Sequence, residues 1–382
     1  METLRQCVSE GKRSSTNRKT WAAVMTSHQA RSVAGDTKRG ERAKDDMLEY
    51  IEINGTNFIS SRIALGTWAI GGWMWGGTDE KESIRTIHAA FDHGINLIDT
   101  APIYGYGRSE GIVGEALHQH GRRDSVILST KVGIDWTNGR VERNSTRQRI
   151  LQELEDSLRR LQTDYIDIYQ VHWPDPLVPI EETAATLREL HQQGKIRAIG
   201  VSNYSPEEMQ RFQAIAPLHT IQPPYNLFER EIERDVLPYA LDRGLTTLTY
   251  GALCRGLLSG AMRADREFDN SDMRKTTDPK FQAPHFAEYL NATSKLDAFA
   301  RENFGKRAIH LAVRWLLDQP GVGIALWGAR RPEQLAPVRE ISGWSLTKSD
   351  FAAVDAILLE SIRNPVGPDF MAPPTRQIRR VA

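Results

Sequence analysis

The sequence predicts an α/β fold, a (β/α)8 TIM barrel preceded by an N-terminal β-hairpin and followed by extra C-terminal helix and loop elements. Three observations carry that prediction. Eight short apolar runs alternate with helix-patterned stretches, the count that such a barrel requires. The 382 residues accommodate one barrel of about 250 residues with additions. Three successive runs end on different polar residues: Asp99 after GINLI, Lys131 after VILST and His172 after YIDIYQV. Strand ends of a barrel converge on one face, so these three are expected to meet.

Residues 1–46 are polar, rich in Arg, Lys, Ser and Thr, and without sustained periodicity, which predicts a disordered extension outside the fold. Residues 47–382 then form a single barrel domain with a C-terminal tail. Asn54-Gly55 favours a tight turn between alternating segments and predicts the hairpin. Strands are expected near 64–68, 95–98, 126–130, 165–171, 196–201, 219–222, 245–249 and 322–326. Ile150, Leu151, Leu154, Leu158 and Leu161 recur at helical spacing, with Glu155–Arg159 and Asp156–Arg160 as expected pairs on the wet side.

Ser205-Pro206-Glu207-Glu208 combines an N-cap, a first-turn proline and a glutamate three residues after the cap. Thr347-Lys348-Ser349-Asp350 is a similar start for a helix through about Leu359. Residues 254–285 and the proline-rich 364–375 exceed a minimal barrel, and such loops commonly cover the active face.

Charge balances at 49 basic against 49 acidic residues, so nothing draws the whole molecule to nucleic acid or an anionic membrane, and a small molecule is the expected partner. The two cysteines, Cys7 and Cys254, have no metal-like or paired spacing, which points to a reducing compartment and no disulfide framework, and no metal site is expected. With no run near ~18 apolar residues and no signal-like h-region, a cytoplasmic protein is expected.

With Tyr104 five residues beyond Asp99, the strand-end residues form the parts of a proton-delivery site. A charged Lys131 is expected to lower the phenol's pKa, Asp99 to keep that lysine protonated, and His172 to orient a carbonyl oxygen. The four together point to carbonyl reduction or its reverse.

Hydride must then come from a donor. Gly105-Tyr106-Gly107-Arg108-Ser109-Glu110-Gly111 misses the G-x-G-x-x-G dinucleotide spacing by one position, so later strand ends are the candidates. Ser202, Asn203 and Gln222 suit a carboxamide edge, and Tyr250 suits stacking on a flat ring. Arg330 and Arg331 precede Pro332, the expected first residue of a helix, and together suit a phosphate monoester, hence a 2′-phosphate and NADP(H). Trp68, Trp73 and Trp173 fall near the expected mouth and suit an apolar substrate pocket.

Over about residues 49–360 the chain resembles the aldo-keto reductase superfamily. The resemblance rests on LGTWAIGG at 65–72, GINLIDTAPIYGYGRSE at 94–110, STKVG at 129–133, YIDIYQVHWPDP at 165–176 and GKIRAIGVSNYS at 194–205. IQPPYNLFER at 221–230, YGALCRGLLSG at 250–260 and ALWGARRPEQL at 325–335 extend it. The tail NPVGPDFMAPPTR is similar to that of the bacterial general-stress group.

The resemblance implies NADPH-dependent reduction of aldehydes or ketones, with detoxification of reactive carbonyls under stress. It makes Asp99, Tyr104, Lys131 and His172 a catalytic tetrad with Tyr104 as general acid. It places Ser202, Asn203, Gln222 and Tyr250 beside the nicotinamide, and Thr67 and Trp68 among the cofactor-binding residues. Gly251, Leu253, Arg255, Gly256 and Leu258 line the pyrophosphate loop, and Gly328, Arg330, Arg331 and Gln334 border the adenosine phosphate. Two positions depart from the pattern: Gly251-Ala252-Leu253 replaces the usual Ser-Pro-Leu, and Val338 stands where Asn is common. Two alternatives stay open, a sugar or polyol dehydrogenase running oxidatively and a cofactor-binding regulatory subunit without significant turnover.

Overall fold

The computed structural model describes residues 48–376 apart from 122 and 138, so the expected extension at 1–46 lies outside the described residues. β1 (Tyr50–Glu52) and β2 (Ile59–Ser61) pair antiparallel around the Asn54-Gly55 turn. Asn54 ties this hairpin to the start of a barrel strand, its backbone N–H donating to Thr246 Oγ1 at 3.0 Å and its side chain to Gly244 O at 2.9 Å. The hairpin therefore closes the N-terminal end of the barrel, where Ile53 is buried among inward apolar residues.

Eight parallel strands close the barrel: β3 (Ile63–Gly66), β4 (Leu97–Asp99), β5 (Ile127–Val132), β8 (Ile166–Val171), β9 (Ile196–Ser202), β10 (Thr220–Gln222), β11 (Thr246–Thr249) and β12 (Ile324–Gly328). All eight lie within two residues of the runs read from sequence. The interior is layered because strand side chains alternate with period two. Ala64, Leu97, Ile127, Ile168, Ala198, Leu248, Ile324 and Leu326 form the apolar lower layer. Two residues further along β4, β5 and β8 the same inward face carries Asp99, Ser129 and Gln170. Hydrophobic burial thus anchors the strands below, and polar residues occupy the same face above.

The outer ring holds α1 (Glu80–Asp92), α2 (Arg108–His120), α3 (Arg147–Leu161), α4 (Ile180–Gln192), α5 (Pro206–Gln213), α6 (Val236–Arg243), the short α7 (Met273–Thr276), α8 (His285–Phe304), α9 (Ala308–Asp318) and α10 (Lys348–Ser361). α3 buries Ile150, Leu154 and Leu161 as its stripe requires. Its expected wet-side pairs do not form. Arg160 turns inward to Glu110, Nε to Oε2 2.6 Å, while Arg159 takes Asp156 and Glu155 pairs with Lys195. A wholly buried carboxylate makes the stronger demand on Arg160 than the half-buried Asp156 does. The capping boxes at Ser205/Glu208 and Thr347/Asp350 both form.

The loop after β5 carries a short antiparallel hairpin, β6 (Ile134–Asp135) with β7 (Glu142–Arg143). The tail crosses the C-terminal face. Gly367 O accepts from Lys280 Nζ at 3.2 Å, Pro373 O and Pro374 O accept from Arg143 at 2.9 and 3.0 Å, and Arg376 pairs with Asp175 at 2.7 Å. Both segments beyond a minimal barrel therefore lie on the face where the strands end.

Candidate active site

Asp99 ends β4 and Lys131 stands near the end of β5, and their side chains meet inside the barrel, Lys131 Nζ to Asp99 Oδ2 2.5 Å. Nζ also donates to Thr100 O at 2.9 Å. Both residues are buried. Burial pulls the Lys131 pKa down, and the Asp99 charge opposes that shift. Lys131 Nζ lies 5.0 Å from the centre of the Tyr104 ring, whose edge meets the His172 ring at 5.7 Å between centroids. The four residues expected to meet do so.

Burial and a neighbouring charge set the protonation of the two rings. The Tyr104 phenol, half-buried at the barrel mouth, stands well above its ordinary pKa, first because its surroundings shut out water and then because Asp99 repels a phenolate. Tyr104 is thereby kept protonated. Burial, and then the Lys131 charge, push the His172 pKa well below the usual histidine value, so its imidazole is neutral.

Asp99 Oδ1 accepts from Ser129 Oγ at 2.9 Å, Gln222 Nε2 at 2.9 Å and Gln170 Nε2 at 3.3 Å. Ser129 and Gln170 were not singled out from sequence. Their signal was the inward register: Asp99 pairs with Ser129 across β4 and β5, and Lys131 with Gln170 across β5 and β8.

The expected nicotinamide residues gather at the ends of β9, β10 and β11. Ser202 Oγ donates to Gln222 O at 2.7 Å, and Asn203 Nδ2 donates to His172 O at 2.9 Å. Tyr250 O–H donates to Asn203 Oδ1 at 2.9 Å. Asn203 holds φ 61°, a left-handed conformation that asparagine tolerates better than most side chains. Thr67 Oγ1 is committed to Asp99 O at 2.9 Å, and Trp68 stacks on Tyr104 at 6.1 Å. Thr67 thus positions the strand end, with no hydroxyl proton free for a cofactor.

The phosphate assignments need revision in part. Gly251 and Gly256 take φ 76° and 99°, leaving backbone without Cβ atoms along that loop, and Leu253 is half-buried beside them. Arg255 turns inward instead, Nη2 to Glu229 Oε1 2.5 Å and Nε to Asp278 Oδ2 2.6 Å, because two buried carboxylates hold it. Leu258 is a core residue. Arg330 donates to Trp75 O at 2.8 Å and to Gly77 O, fastening the loop after β3. Gln334 Oε1 accepts the backbone N–H groups of Arg330 and Arg331 at 2.7 and 3.1 Å.

The segment Pro332–Glu340 is a 3-10 helix containing Pro337 and not an α-helix, and the backbone N–H groups of Arg330 and Arg331 just before it are spent on Gln334. Arg331 is exposed and has no carboxylate within ion-pair reach among the described residues, and Gly328 stands in open space. Of the two arginines, Arg331 is the one free for a phosphate.

Aromatic rings surround the tetrad. Trp73 meets Tyr106 at 5.1 Å, Tyr106 meets Trp136 at 6.0 Å, and Trp68 meets Trp75 edge-on at 5.3 Å. Trp73, Trp136 and Trp173 pack with Tyr104 against Ala101, Ile103 and Ile134. Such walls exclude water and strengthen the charges inside.

Residues 62–359 match the model of the Aldo/keto reductase family. The chain is 62% identical over 330 residues to "Aldo-keto reductase YhdN" of Bacillus subtilis, covering 86% of this chain and 99% of that protein. It is 35% identical to the "NADH-specific methylglyoxal reductase" of Escherichia coli, over 82% of this chain and 98% of that one. Among solved structures it is similar to the glycerol dehydrogenase AKR11B4 from Gluconobacter oxydans, at 53% identity and a TM-score of 0.76, covering 85% and 99% of the two chains.

Proposed function

We propose that this chain, which belongs to the aldo/keto reductase family, is a cytoplasmic NADP(H)-dependent reductase of aldehydes and ketones that removes reactive carbonyls under stress. The observation that carries the chemical part is the buried Lys131–Asp99 pair at 2.5 Å under the ring of Tyr104. A nicotinamide cofactor, when bound, would be the source of the hydride that the carbonyl carbon needs. Tyr104 gives its proton to the carbonyl oxygen, and the Lys131 ammonium stabilises the phenolate left behind. Neutral His172 offers one N–H to that same oxygen and fixes its direction.

The residues fit the cofactor in kind. Tyr250, Asn203, Ser202 and Gln222 would hold the nicotinamide end, Gly251 and Gly256 would let phosphates approach the backbone, and Arg331 would meet a 2′-phosphate. Exposed, unpaired Arg331 supports NADPH over NADH, although one relative is named for NADH.

A second reading keeps the site and reverses the reaction. The likeness to a glycerol dehydrogenase supports oxidation of a polyol, for which the phenolate of Tyr104 would take the proton. The deciding experiment follows the absorbance of NADPH and NADH, each with a panel of aldehydes, and NADP+ with polyols. Aldehyde-dependent NADPH oxidation exceeding polyol oxidation at neutral pH supports the proposal, and no consumption with any carbonyl defeats it.

A further inference from the structure

The Asp99 carboxylate is held from two sides. Lys131 takes Oδ2, while Oδ1 accepts from Ser129, Gln222 and Gln170. Gln170 Nε2 also donates to Ser129 Oγ at 2.8 Å. An amide nitrogen can only donate, so the Ser129 oxygen accepts there and its single hydroxyl proton is committed to Asp99.

The fold makes room for this glutamine. Gly200 on β9 stands in register with Gln170, and a Cβ at that glycine would come within 2.7 Å of Gln170 Cγ and 2.3 Å of Thr220 Oγ1. Gln170 is wholly buried, and its Oε1 has no hydrogen-bond partner among the described residues. An unpaired buried acceptor is destabilising, and an apolar side chain of the same length would fill the space without that penalty. The oxygen gains nothing here, whereas both bonds from the nitrogen lead directly to the tetrad.

We propose that Gln170 is a positioning residue for proton delivery: by orienting Ser129 and donating to Asp99 it keeps that carboxylate aimed at Lys131, and so keeps Lys131 charged beneath Tyr104. The proposal rests on the reductase reading above. The other titratable groups facing Lys131 are Tyr104 and His172 at the mouth and Glu110 from α2. None of these touches Gln170, so its removal acts through Asp99.

The test replaces Gln170 by the isosteric non-donor, Gln170→Met. Its kcat for aldehyde reduction at pH 8 falls about tenfold, the loss of one hydrogen bond to a charged group. The basic limb of its pH profile moves to lower pH, and NADPH affinity by fluorescence is unchanged. NMR of protein labelled at the lysine 13Cε, without cofactor, shows Lys131 titrating at lower pH than in the wild type. Gln170→Glu regains rate as the pH is lowered, since only a protonated carboxyl can donate.

An unmoved Lys131 midpoint in Gln170→Met, whether or not kcat falls, overturns the proposal. If Gln170→Met does not fold, Ser129→Ala is read the same way, with the same shift expected and its absence equally decisive. A wild type that reduces no carbonyl defeats the reductase reading alone, because the NMR midpoint still judges Gln170.

Discussion

Lys131 Nζ lies 2.5 Å from Asp99 Oδ2, two opposite charges buried side by side at the ends of neighbouring strands. Neither is tolerable alone in that environment. Lys131→Met leaves Asp99 without its cation, and breaking such a pair costs about 3–5 kcal/mol. Denaturant unfolding of this variant should show that loss, together with a fall in kcat that the conservative Lys131→Arg does not restore. Unchanged stability would mean that the pair is not buried as described.

A further pH effect follows from His172. Its folded pKa is depressed, so it binds its proton in the unfolded chain at about 6.5 but not in the fold. Its contribution to stability is present above about pH 6.5 and declines as the pH falls below that value. The kcat of reduction should correspondingly show no inflection near pH 6.5. Replacement by Gln, which keeps an N–H donor, should retain more activity than replacement by Ala.

Glu229 offers a stability test away from the chemistry. Arg255 and Lys280, both buried, pull its pKa down to about 2 despite burial. Because the folded value is depressed, the stabilisation is present above about pH 4.5 and is lost as the pH falls toward 2. Glu229→Gln should cost about 3–5 kcal/mol at pH 7 by leaving Lys280 without a carboxylate. The gap from wild type, measured by urea unfolding, should narrow at pH 3. A gap that widens on acidification would contradict the assignment.

Cofactor preference turns on Arg331. Arg331→Ala should weaken NADPH binding about tenfold or more, the value of a charge-assisted contact to phosphate, and leave NADH nearly unaffected. Arg330→Ala should act differently, loosening the loop at Trp75 and Gly77 and affecting both cofactors alike. Fluorescence titration separates the two. Tighter NADH than NADPH binding in the wild type would contradict the preference.

Much of the fold was legible because strand-end chemistry and period-two burial are local signals. Asp99, Lys131 and His172 each end an apolar run, and the barrel geometry does the rest. What escaped was side-chain choice among alternative partners. Arg160 is at the right spacing for Asp156 but reaches Glu110, and Arg255 lies in a glycine-rich loop yet turns to Glu229 and Asp278. Partners far apart in sequence are set by tertiary packing, which spacing does not encode. Gln170 was readable in principle, as a polar residue on the inward register of a buried strand.

The central claim is that Tyr104 delivers the proton from above a charged Lys131. Single-turnover decay of NADPH absorbance with a saturating aldehyde, wild type beside Tyr104→Phe, tests it most directly. Loss of a general acid is worth about 10²–10⁴ in rate, so the variant should bind NADPH normally and turn over slower by at least about a hundredfold. A Tyr104→Phe rate close to wild type, with cofactor bound, would contradict the account.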